Sequence, residues 1–167
     1  MDLRVKLSRQ LLKNALLEIL EEKPLGKVTI KEICEKAEIN RTTFYKHYKD
    51  EYDLYNDLEN DFLDLISKEV SQTGNEIISL LNSFKGNKKL TRVILLNPAD
   101  PDIMKKVFDR IAFKINFEGK YSKQITEFSF SGIAQLIVNW VGNKYDMSVE
   151  EMNELIQVIF DQLLNIQ

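Results

Sequence analysis

Residues 28–54, VTIKEICEKAEINRTTFYKHYKDEYDL, constrain the fold more than any other stretch of this chain. Thr29 is followed three residues later by Glu32, the spacing at which each side chain bonds the other's free backbone N–H and starts a helix. Ile30, Ile33, Cys34 and Ala37 then recur at i, i+3, i+4 and i+7, so that short helix has one buried stripe. After a three-residue break, Asn40 is placed to cap another helix over about 41–47. Phe44 and Tyr48 share its apolar face, leaving Arg41, Thr42, Tyr45 and Lys46 to point elsewhere. Asp50 then caps a longer helix striped by Leu54, Leu58, Phe62, Leu65 and Ile66 and reaching about residue 72. Two short helices at a tight turn, seated on neighbouring helices, make a helix-turn-helix whose second helix enters the DNA major groove.

The rest of the chain extends this all-α pattern to about nine helices. Leu12, Ala15, Leu16, Ile19 and Leu20 predict an amphipathic first helix over 4–22, ended by Pro24 and Gly26. Beyond Gly74 the periodicity predicts helices over 75–84, 87–96, 101–116, 121–143 and 148–166. Gly86, Asn97-Pro98, Gly119 and Gly142-Asn143 separate them, and Ser148 with Glu151 repeats the capping spacing. Three prolines and six glycines in 167 residues leave little for turn-rich β structure.

Charge is distributed unevenly. Residues 1–50 carry a net +3, residues 51–70 a net −6, and the remainder balances, for a total of −3. A basic first third on an acidic chain fits a local polyanion-binding face, although ordinary solvated helix faces would give the same count. Within 27–49, Arg41 and Thr42 sit on the first turn, where Arg can donate twice to guanine and Thr can meet a base or a thymine methyl. Thr43, Tyr45, Lys46 and His47 follow as further donors, flanked by Lys27, Thr29 and Lys49. His47 alone would equally suit a structural histidine. Cys34 lies on the apolar stripe as a small hydrophobe, and one Cys and one His offer neither a metal cluster nor a Cys-His nucleophile. No cofactor is expected and no enzymatic reading gains support.

The register of these residues resembles the DNA-binding domain of TetR-family transcriptional regulators over about residues 8–66. Ile33-Cys34 stands where that family often has Ile-Ala, Ala37-Glu38-Ile39 where it has Ala-Gly-Val, and Phe44-Tyr45-Lys46-His47-Tyr48 where it has "FYxHF". The resemblance implies that Thr42, Tyr45 and His47 touch DNA and that Phe44 and Tyr48 are core. Two departures matter. Glu38 replaces a common turn glycine, so the turn must either avoid positive φ or carry strain. Glu51 replaces a lysine that would reach a phosphate, a role Lys49 could take over.

Residues 67–167 are expected to form a helical regulatory and dimerisation domain, beside a DNA-binding domain at 1–66. FSFSGIAQLIVNWVGNKYDMSVEEM is similar to the C-terminal module of a TetR subgroup that includes dihydroxyacetone-kinase activator-type regulators. Helix 121–143 is apolar around much of its circumference, and Leu155, Ile156, Ile159, Phe160 and Leu163 stripe the last helix. Together they suit a four-helix bundle across a two-fold axis, or mutual cover within a monomer. Phe84, Phe108, Phe113, Phe117, Tyr121, Phe128, Phe130 and Trp140 could line an effector pocket or simply be core.

The expectation is a cytoplasmic homodimeric DNA-binding regulator, a repressor of a near-palindromic operator released by a small molecule. No secretory leader or membrane span is predicted: MDLRVKLSRQ has no long apolar core, and the longest uncharged run, Phe128–Asn143, is short and partly polar. The competing expectation is an adaptor acting through protein–protein contacts, motivated by Glu51 and the acids that follow it.

Overall fold

A computed structural model describes residues 3–70, 76–97, 99–113 and 117–164. Among these residues there are nine α-helices, one short 3-10 turn and no strand. They are α1 (Leu3–Leu20), α2 (Ile30–Lys36), α3 (Arg41–Tyr45), α4 (Glu51–Val70), α5 (Glu76–Gly86), α6 (Lys88–Leu96), α7 (Ile103–Arg110), α8 (Ser122–Gly142) and α9 (Val149–Leu164). The turn at Leu25–Lys27 links α1 to α2.

Both capping boxes form. The Glu32 N–H donates to Thr29 Oγ1 at 3.3 Å while the Thr29 N–H donates to Glu32 Oε2 at 3.0 Å. The Ser148 N–H donates to Glu151 Oε2 at 2.7 Å, and the Glu151 N–H returns to Ser148 Oγ at 3.1 Å. Asn40 accepts from the Thr43 N–H at 2.8 Å and Asp50 from the Asp53 N–H at 2.8 Å, so α3 and α4 begin where their caps predict.

Helix ends follow a different rule. α2, α7 and α8 each close with a residue in the left-handed region: Glu38 (φ 55°), Ala112 (φ 53°) and Lys144 (φ 59°). In each case the next residue's N–H reaches back five positions, Ile39 to Cys34, Phe113 to Phe108 and Tyr145 to Trp140. The left-handed residue itself bonds three positions back. These are Schellman closures, in which two orphan carbonyls are satisfied and an apolar residue folds back onto the helix. None of the three uses glycine. Glu38 therefore carries backbone strain at the turn between α2 and α3. α7 stops at Arg110 rather than running on as the 101–116 periodicity predicts; residues 114–116 lie outside the described ones.

α4 is the axis of the molecule. It packs against α1, α5, α6 and α7, and α5 and α6 in turn carry α9 and α8. With neighbours on several sides, its apolar face is broader than one stripe: Tyr55, Leu63 and Val70 are buried, whereas Leu65 is only half-buried. One continuous core runs from Leu12, Leu16, Ile33 and Phe44 through Leu54 and Phe62 to Phe84, Ile137 and Trp140. Phe62 and Phe84 stack with ring centroids 5.8 Å apart. Among the described residues no helix is long and apolar enough to cross a membrane.

Candidate nucleic-acid interface

Phe44 and Tyr48 anchor the recognition segment, at 0% and 4% exposure, with ring centroids 5.9 Å apart. That seat turns the opposite face of α3 outward. Arg41, Thr42, Tyr45 and Lys46 are exposed, Tyr45 to 59% despite its ring. Thr43 and His47 are half-buried, and the His47 ring meets Tyr48 edge-on at 6.4 Å. Lys27, Thr29 and Lys49 are exposed on flanking segments, with the Thr29 hydroxyl donating to Glu32. Cys34 is buried, and its burial pushes the thiol pKa up.

The pairing of charges separates this face from the rest of the first fifty residues. Lys23 bonds Glu32, Lys36 bonds Glu18 at 2.9 Å, and Lys31 lies 3.7 Å from Glu35. The hydrogen bonds from Lys23 and Thr29 hold the Glu32 carboxyl down at about 2. Among the described residues Lys27, Arg41, Lys46 and Lys49 make no ion pair. Around α3 the cations are thus left without carboxylate partners, as is Lys6 on α1.

The acidic stretch after the motif is largely paired within the chain, although most of its carboxylates remain exposed. Asp57 pairs with Arg9 at 2.8 Å and Lys13 at 2.9 Å, and Asp61 pairs with Lys13 at 2.5 Å. Buried Glu59 pairs with Lys106 at 2.7 Å and Asp64 with Arg110 at 2.9 Å, both cations lying on α7. Asp53 accepts from the Lys49 N–H, and Glu69 from Ser83. Six of the seven acids of the −6 segment thus have partners. Glu51, on the first turn of α4, is the exception, and there it faces the positive end of the helix dipole. Sequence reasoning could count these charges but not pair them, because the partners lie up to 48 residues away.

Away from this face, the eight aromatics divide. Phe84, Phe108, Phe117 and Trp140 are buried; Tyr121 and Phe128 are exposed. Phe113, Phe130 and Phe160 cluster with Phe108 at centroid distances of 5.4 to 6.3 Å. An open cleft of about 420 Å³ lies between α7 and α8, floored by Met104, Phe108, Phe130 and Ala134 and rimmed by Lys105, Asp109 and Glu127. A second, strongly apolar groove of about 340 Å³ lies between α8 and α9, including Phe128, Leu136, Ile159 and Leu163.

Two short capped helices at a strained turn, seated on α1 and α4, define a helix-turn-helix protein. Residues 12–58 match the family described as "Bacterial regulatory proteins, tetR family". The segment is also similar to "Uncharacterized HTH-type transcriptional regulator YxbF" of Bacillus subtilis (strain 168), 34% identical over 56 residues. That match covers 34% of this chain and 15% of the relative's length. The whole fold is shared with three solved structures. A TetR transcriptional regulator from Streptococcus agalactiae 2603V has a TM-score of 0.77 at 18% identity, covering 94% of this chain and 95% of that one. "Dihydroxyacetone kinase operon activator DhaS" gives 0.63 at 17% identity, with 95% and 97% covered. "Fatty acid degradation regulator FadR" from Bacillus halodurans gives 0.60 at 13% identity, with 94% of each chain covered. At these identities the likeness is one of fold.

Proposed function

We propose that the chain is a homodimeric DNA-binding transcriptional regulator, with residues 1–66 as the DNA-binding domain and 67–167 as the regulatory and dimerisation domain. The observation that carries the reading is the outward face of α3, where Arg41, Thr42, Tyr45 and Lys46 are exposed and the cations have no carboxylate partners. Arg41 and Thr42 would read base edges. Thr43, Tyr45, Lys46 and His47, with Lys27, Thr29 and Lys49, would hold phosphates. The partner is double-stranded DNA with two half-sites about one helical turn apart, the spacing a two-fold dimer imposes. The apolar groove between α8 and α9, with Phe128 68% exposed, supports a dimer built through these helices.

The regulator acts as a repressor released by a small molecule, for which the α7–α8 cleft is the candidate site. Release requires the effector to bind the DNA-free geometry more tightly, because equal affinity for both states shifts nothing. The adaptor reading keeps Glu51 as its motivation but loses the six acids that follow it, which have partners within the chain.

The test uses a duplex enriched from a randomised pool by the wild-type protein. Arg41→Ala should weaken binding by roughly tenfold or more, the scale of one good base contact, and Tyr45→Ala should weaken it less, by the loss of one phosphate contact. Sedimentation of both variants should remain that of the wild-type dimer rather than a 19.5 kDa monomer. Unchanged DNA affinity would remove the assigned contacts, and wild-type binding without a salt slope would favour the adaptor.

A further inference from the structure

Tyr48 closes the recognition segment, and its ring alone would be an adequate hydrophobic plug beside Phe44. Its hydroxyl does something a phenylalanine could not. It donates to Asp57 Oδ2 on α4 at 2.6 Å and accepts from Arg9 Nε on α1 at 3.2 Å. The same Asp57 oxygen is met by Arg9 Nη2 at 2.8 Å and by Lys13 Nζ at 2.9 Å. Three donors, two from α1 and one from the recognition segment, thus converge on one carboxylate oxygen of α4.

The surroundings make this junction stiff. The Lys13 side chain is only 8% exposed and that of Asp57 19%. The Arg9 guanidinium also lies 5.7 Å from the Tyr48 ring centroid. Burial on its own would raise the Asp57 carboxyl, but the bonds from Tyr48, Lys13 and Arg9 outweigh it and hold the group below its usual range. Burial and the bond to Asp57 push the Tyr48 hydroxyl well up, so it stays a donor.

Hydrophobic contact is non-directional, whereas a hydrogen bond fixes distance and angle. Phe44 and the Tyr48 ring hold α3 against the core but leave it free to roll on that apolar seat. We propose that the Tyr48 hydroxyl, through Asp57, Arg9 and Lys13, is a positioning group that fixes the rotation of the recognition helix against α1 and α4. The roll decides whether Arg41 and Thr42 face bases together, so the network sets DNA affinity without touching DNA. This second consequence rests on the DNA-binding reading above.

Tyr48→Phe deletes one oxygen and keeps the ring. In the free protein, amide hydrogen exchange of residues 43–48 should accelerate while the amides of α5, α6, α8 and α9 keep wild-type protection. On the enriched duplex, affinity should fall roughly fivefold as the competent fraction of the ensemble drops, with the salt slope unchanged. Asp57→Asn should give the same pattern more strongly. Unchanged exchange at residues 43–48 in both variants would overturn the positioning role. So would an affinity loss accompanied by a shallower salt slope, which would make Tyr48 or Arg9 a direct phosphate contact. If the wild-type protein enriches no duplex, the DNA-binding reading fails, and the exchange result still decides the positioning role.

Discussion

The recognition half of the chain and the helices that follow it are held by different kinds of instruction. From Thr29 to Leu54 each helix opens on a side-chain cap, and polar bonds define turn, register and facing. From Asn87 to Tyr121 the N-caps of α6, α7 and α8 make no side-chain bond, and position is set by apolar packing together with a few long-range polar ties such as Lys106–Glu59 and Arg92 to the Val141 carbonyl. A segment that must present a few side chains at fixed angles needs directional bonds. Helices that cover one another, or a second copy, need shape and buried area.

The largest test of this contrast is whether the two regions nonetheless unfold as one. Phe44→Ala and Trp140→Ala each remove a fully buried ring and should cost about 3–5 kcal/mol. Trp140 is the single tryptophan, so its fluorescence reports the later helices alone. Because one core spans both regions, urea should shift the Trp140 transition of Phe44→Ala together with the helical circular dichroism. A helical loss that precedes the fluorescence change would break the chain into two separately stable parts.

The same contrast explains what the sequence disclosed. Thr29, Glu32, Asn40, Asp50, Ser148 and Glu151 act on backbone within three residues, so local spacing was enough to locate the starts of α2, α3, α4 and α9. Helix ends are harder to read because glycine does not mark them here: Glu38, Ala112 and Lys144 occupy the left-handed positions. The signal that would have found them is the apolar residue just beyond, Ile39, Phe113 and Tyr145, which each closure folds back onto its helix. The exposed donors of α3 followed from periodicity. The Arg9–Tyr48–Asp57 junction did not, since its members lie 39 and 9 residues apart; a hydroxyl on a buried face was the only hint that a partner was needed.

A smaller test compares the two capping boxes. Thr29→Ala and Ser148→Ala should each destabilise by about 1 kcal/mol in urea titrations. Both penalties should depend on acid, because Glu151 too is held below its usual range by its bonds to Ser148. The Glu32 carboxyl is held at about 2 by Lys23 and Thr29, so its folded value lies below its unfolded one. A depressed carboxyl contributes stability above the unfolded value, about 4.3, and loses it as pH falls toward the folded one. The penalty of Thr29→Ala should therefore shrink between pH 5 and pH 3. If it holds constant across that window, the Thr29 hydroxyl acts without Glu32, and the reciprocal bond is not what starts α2.

The smallest effects should come from the left-handed closures, and they should be gains. An L-residue in this region costs roughly 1–2 kcal/mol, while glycine brings an entropic cost of about 0.5–1 kcal/mol to the folded state. Glu38→Gly and Lys144→Gly should each stabilise by the difference, about 0.5–1 kcal/mol. The two sites are not equivalent, because both sit at the negative end of a helix. There a carboxylate is unfavourable and an ammonium favourable. Removing Glu38 relieves strain and repulsion together, whereas removing Lys144 relieves strain and forfeits attraction. The gain at Glu38 should exceed that at Lys144 at low ionic strength, and the gap should close in high salt as the dipole terms are screened. A gap that persists in salt would mean that Glu38 costs the recognition turn something other than charge, and that the strain of the two closures is not the same.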